Sequence, residues 1–144
     1  MTVDLMLRTV PDMAAFNTGV DSGIPLHRLA QARSGDKNDV CDITVFLPTA
    51  ELYAVVEPRL TVERVAAHMA PLASGKVDRY LLPNVWGVKF VLHEALGGGG
   101  SRSLRGDNLG KSMAAALLLM PITGVPDDLA RTSPTYYGPK ETRR

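Results

Sequence analysis

The sequence predicts an α+β sandwich, with helices on one face of a mainly antiparallel sheet. Two observations carry this. Apolar, β-branched runs alternate with short stretches of helical spacing, and Pro, Gly or Ser-Gly punctuates nearly every junction. The chain has 144 residues, of which 45% are hydrophobic and 22% charged, enough for one domain with a modest core.

Residues 1–25 read as an N-terminal extension. Val3 to Leu7 alternates like a short strand, and Pro11, Asn17, Gly19, Ser22, Gly23 and Pro25 then break the chain into loops. Leu26 to Arg33 reads as a strand, Ser34 to Asp39 as a polar turn, and Asp42 to Leu47, bounded by Pro48, as a second strand. Thr49 caps a short helix that Pro58 ends, and Thr61 caps another. In the second, Val62, Val65, Ala66 and Met69 share one face. Val77 to Leu82 is a strand ended by Pro83. Val85 to Leu96 is apolar throughout; Val88, Phe90 and Val91 favour strand, while His93 to Leu96 has a helical composition. Ser101 to Arg105 reads as a short strand or extended loop. Asp107 or Asn108 then caps a final helix, Leu109 to Met120. Residues 123–144 read as a polar tail without period.

Composition excludes several function classes. The formal net charge is +1 and aromatics are few, so no field or stacking platform for nucleic acid is expected. No apolar stretch approaches the ~20 residues that span a bilayer, and the N-terminus lacks a signal-peptide pattern, so a cytoplasmic location with no membrane partner is expected. The single cysteine, Cys41, lies in an apolar run and reads as a core residue. No His/Cys cluster has transition-metal spacing, so no metal is expected, and no Gly-x-Ser-x-Gly elbow supports a serine hydrolase.

Two constellations carry chemistry-bearing residues. The first is Arg33-Ser34-Gly35-Asp36-Lys37-Asn38-Asp39. Gly35 permits a tight turn, Ser34, Lys37 and Asn38 supply donors, and Asp36 and Asp39 are acid, base or cation ligand, or simply the charges of a solvated turn. The second is the glycine run Gly97-Gly98-Gly99-Gly100, followed by Ser101, Arg102 and Arg105. Four glycines are costly to order, and folded chains keep such runs where backbone approaches a ligand or another segment. The run reads either as a nest of backbone N–H groups with arginines beside it, fit for an anion, or as a flexible hairpin connection. Its spacing matches neither the P-loop nor the dinucleotide fingerprint. His93 ends the apolar run just before the glycines and is a site member or a satisfied structural histidine. Trp86 packs, or lines a pocket or interface.

Several segments match one pattern: Leu26 to Lys37 with its Ala-Arg-Ser-Gly-Asp-Lys, Leu60 to Val65, Val77 to Asn84, Leu92 to Arg105 with its Leu-Gly-Gly-Gly-Gly and Arg-Ser-Leu-Arg, and Leu117 to Ile122. Over residues 26–122 the chain resembles the C-terminal domain of acyclic terpene utilisation proteins of the AtuA type. The resemblance implies a ferredoxin-like form of the α+β sandwich. Asn38 stands where the family usually has Gly, and Asn tolerates a left-handed backbone. The family's larger N-terminal domain has no counterpart here. The resemblance therefore implies a small subunit docking on a large AtuA-type subunit, in an oligomer that processes branched or terpenoid acyl-CoA, as a hydratase or other lyase. The alternative is a non-catalytic module that docks on and stabilises the large subunit. No cofactor is implied beyond the coenzyme A of the substrate. On this reading Asp36 or His93 moves a proton and Ser34 and Lys37 position the substrate. Arg33, Asn38, Gly97, Gly98, Gly99, Gly100, Ser101, Arg102 and Arg105 bind the substrate or its anionic groups.

Overall fold

A computed structural model describes residues 23–96 and 112–137. Six strands lie in them: β1 (Ile24–Pro25), β2 (Gln31–Lys37), β3 (Val40–Phe46), β4 (Val77–Leu82), β5 (Gly87–Leu92) and β6 (Pro121–Ile122). Four helices accompany them: α1 (Ala50–Val56), α2 (Val62–Met69), α3 (Met113–Leu117) and α4 (Asp127–Ala130). The main sheet is antiparallel with the order β2-β3-β5-β4, and β1 pairs with β6 in a separate two-stranded ladder.

The two faces of the main sheet differ because side chains alternate. Cys41, Ile43 and Val45 on β3 stand beside Leu92, Phe90 and Val88 on β5, and all six are buried against the helices. Ala32, Ser34 and Asp36 on β2 point to this helical side. The opposite side carries Arg33, Gly35 and Lys37, then Asp42 and Thr44, then Lys89 and Val91, then Asp78 and Tyr80. No described helix packs on it: α3 lies over β2 and β3, and α2 over β4.

Both threonine caps form as the sequence predicts. Thr49 Oγ1 accepts the Leu52 N–H and Thr61 Oγ1 the Arg64 N–H, each at 3.2 Å. α1 ends in a 3₁₀ turn, Glu57–Arg59, that contains Pro58. Arg64 donates to the Pro121 carbonyl (3.1 Å), and His68 Nε2–H to that of Ala116 (2.8 Å), which ties α2 to the α3–β6 segment.

Four readings change. Leu26 to Arg33 is not one strand: Leu26–Arg28 is a 3₁₀ turn, and β2 starts at Gln31. Leu26, Leu29 and Ala30 are buried at helical, not alternate, spacing, and the Leu26 and His27 N–H groups bond to the Met120 and Leu118 carbonyls. The polar turn shrinks to Asn38 and Asp39, because Ser34 to Lys37 belong to an edge strand, where one side needs no apolar partner. Trp86 is 40% exposed at the end of a 3₁₀ turn rather than packed in the core. Part of the region read as a tail is folded: Ala130 in α4 and Ser133 beyond it are buried. The described part of the final helix is α3; Leu109 to Lys111, its proposed caps and the Ser101–Arg105 strand lie outside the described residues.

Candidate functional site

The hairpin formed by β2 and β3 organises the candidate site. Its two-residue loop is Asn38-Asp39, with Asn38 at φ 58°, the left-handed geometry that Asn accepts more readily than most residues. β5 ends at Leu92, and the chain turns at Glu94, also left-handed (φ 53°), so that Ala95 and Leu96 are buried next to this loop. There the Asp39 carbonyl accepts the Ala95 N–H and Asp39 Oδ1 accepts the Leu96 N–H, each at 2.8 Å. One aspartate thus fixes the backbone immediately before Gly97.

The far side of the same segment is fixed by the same hairpin. Ser34 Oγ accepts the Ala114 N–H at 3.2 Å, at the start of α3. Residues 97–111 therefore leave and rejoin the described chain at points held by Ser34 and Asp39. The first motif thus holds both described flanks of the second, Leu96 at the hairpin loop and Ala114 over the middle of β2, across 57 and 80 residues of chain. Gly97, Gly98, Gly99, Gly100, Ser101, Arg102 and Arg105 themselves lie outside the described residues.

His93 sits at this end but on the open side of the sheet. Its Nε2–H donates to Asp78 Oδ2 on β4 (2.8 Å), and Lys76 Nζ lies 3.2 Å from Asp78 Oδ1. The hydrogen bond from His93, followed by that from Lys76, holds the Asp78 carboxyl below the usual carboxylate range. The His93 side chain is 38% exposed, so the ring is both oriented and accessible. Gly75 makes the approach possible: a Cβ there would stand 2.2 Å from the His93 carbonyl oxygen.

The structure thus brings together some of the expected site residues and divides others. Ser34 and Asp36 face the helices, and Asp36 is half-buried there. Arg33 and Lys37 alternate to the open side and are exposed, as is Asn38 at the turn. Asp36 and His93 stand on opposite faces of the sheet. The model of the AtuA ferredoxin-like domain matches residues 24–123.

The chain belongs to the AtuA ferredoxin-like family. Neither a search of curated proteins nor one of solved structures gave a match. The α+β layout is that of this family, an antiparallel sheet with helices on one side. The chain runs through it as two hairpins joined by the α1–α2 pair, rather than as two β-α-β units.

Within this family domain, Asp39 and Asp78 are the residues that sequence reasoning placed least well. Asp39 read as an acid, base or cation ligand or as one charge of a polar turn, and Asp78 as an ordinary strand residue. Both act through register: Asp78 lies across β5 from Val91, which puts its carboxylate beside the His93 ring. A pocket of about 180 Å³, lined by Leu29, Phe46, Pro48 and Ser133 among others, lies at the opposite end of the sheet from the hairpin loop and holds none of the candidate residues. Among the described residues no cluster of His, Cys, Asp or Glu has the form of a metal site, and no helix is long and apolar enough to cross a membrane.

Proposed function

We propose that the chain is the small subunit of an enzyme that processes branched or terpenoid acyl-CoA, working with a large AtuA-type subunit, with hydration of an unsaturated acyl-CoA or its reverse as the reaction. The observation that carries this reading is the double bracing of the 97–111 segment by Ser34 and Asp39. A costly glycine run with arginines beside it is anchored at both flanks to a rigid hairpin, the arrangement expected of backbone that receives an anionic group. In this reading Gly97 to Gly100, with Arg102 or Arg105, meet a phosphate of coenzyme A or the thioester oxygen, and exposed Arg33 and Lys37 add positive charge on the open side.

The proton-moving group in this reading is His93. Hydration needs a group that takes a proton from water and returns one to carbon, and imidazole can do both. Asp78 stays ionised and orients the ring, as the carboxylate of an acid–base pair does. Ser34 Oγ accepts a helix N–H, so its role in this reading is to brace the segment's flank rather than to position the substrate.

The test is turnover of an unsaturated branched acyl-CoA by the complex with the large subunit. His93→Asn is expected to lower kcat at least about 100-fold, the usual scale of a general acid–base group, with the complex intact. Loss of the complex with the substitution, or unchanged turnover in an intact complex, overturns the assignment; the first outcome favours a non-catalytic docking module.

A further inference from the structure

The two edges of the main sheet are unequally protected. β2 presents exposed Arg33 and Lys37, the kind of charge that discourages another strand from pairing. β4, the terminal strand on the other side among the described residues, contains neither Lys nor Pro, and its ladder with β5 runs from Val77 to Leu82 without a bulge. Its one cation, Arg79, is turned into the helical layer: it donates to the Leu60 and Glu57 carbonyls (2.7 and 2.9 Å) and pairs with the Glu57 carboxylate. Tyr80 is 53% exposed and Leu81 46%. Val85 and Trp86, in the connection that follows, are 52% and 40% exposed. Trp86 is held there at φ 51°, a left-handed geometry that is uncommon for so bulky a residue.

The backbone of this edge fixes how a second strand would dock. The His93 N–H donates to the Lys76 carbonyl, so alternation along the ladder turns Lys76, Asp78, Tyr80 and Leu82 toward β5. Val77, Arg79 and Leu81 then present their N–H and C=O groups outward. In an antiparallel pair, residues directly opposite each other share a face. A two-fold axis perpendicular to the sheet must therefore pass through a residue, not between two. An axis at Arg79 sets two arginines opposite each other, and one at Leu81 sets Arg79 opposite Pro83, which has no N–H. An axis at Tyr80 avoids the arginine pair and moves Pro83 to the two ends of the ladder, opposite Val77, leaving two intact outward-bonded pairs between. It places Arg79 opposite Leu81 twice, which joins the outward backbone groups, and sets Tyr80 against its own copy at the close, non-hydrogen-bonded position where aromatic pairs stabilise sheets.

We propose that β4 pairs antiparallel with β4 of a second copy of this chain about a two-fold axis at Tyr80, making one continuous eight-stranded sheet. The occupant is a second copy because the edge is complementary to itself in that register and carries no lysine or proline between Val77 and Leu82.

Sedimentation velocity of the full chain over a concentration series tests this. A monomer–dimer equilibrium is expected, with Tyr80→Lys and Leu81→Lys each weakening association at least about tenfold, and far-UV circular dichroism unchanged. Leu119→Lys, at an exposed leucine away from β4, is expected to leave association unaltered. Tyr80→Cys is expected to give a covalent dimer under mild oxidation, which Asp78→Cys does not. A chain that is monomeric at every concentration overturns the proposal, even if another protein captures it. A dimer that survives both lysine substitutions also overturns it, and so does one that the Tyr80→Cys variant fails to cross-link.

Discussion

Asp78 shows how a single side chain reports on the geometry around it. Its carboxyl is held below the ordinary range first by the His93 hydrogen bond and then by Lys76. The folded protein therefore takes up this proton less readily than the unfolded chain. The resulting stabilisation is present above the unfolded carboxylate's pKa and is lost as pH falls through the lowered folded value. Asp78→Asn removes this dependence. Urea denaturation across a pH series is expected to show the wild type more stable than the variant at neutral pH, with the two curves converging on acidification. A constant gap down to strongly acidic pH contradicts the ion pair. Asn38 works by a different principle. It holds a positive φ at the hairpin loop, a geometry glycine adopts most freely, so the loop keeps its shape with a side chain present.

Among the elements, the β2–β3 hairpin matters most, because it is a sheet edge and a clamp together. Asp39→Ala removes the acceptor of the buried Leu96 N–H, which is expected to lower stability by about 1–3 kcal/mol. Asp39→Asn keeps an oxygen at that position and is expected to cost less. Denaturant titration of both variants checks the order. How far such elements were legible depends on where their signal lies. α1 and α2 were readable because Thr49 and Thr61 act within three residues of themselves, and β4 because Pro83 stops a stretch that ends on Tyr80, Leu81 and Leu82. β2 was misplaced because its residues are polar: an edge strand needs only Ala32, Ser34 and Asp36 on its helical side, and none of these advertises a core. Both candidate motifs were visible as composition. The bracing of the second motif's flanks by the first was not, because the bonds between Asp39 and Leu96 and between Ser34 and Ala114 depend on the register of the sheet. The same holds for the separation of Asp36 from His93, which alternation across paired strands decides.

At the scale of the whole molecule, the sheet has two differently furnished ends and two differently furnished edges. The end with the Asn38-Asp39 loop gathers polar and ionisable groups and anchors the Leu96 flank of the glycine segment; the other end exposes Val85 and Trp86. The two proposals place substrate binding at one end and association at the β4 edge, so they can fail independently. The binding claim is tested most directly by isothermal titration of an unsaturated branched acyl-CoA into the chain, alone and in complex with the large subunit. Saturable binding is predicted in the complex, weakened when Arg102 is replaced by Ala. Absence of binding both alone and in the complex contradicts the account.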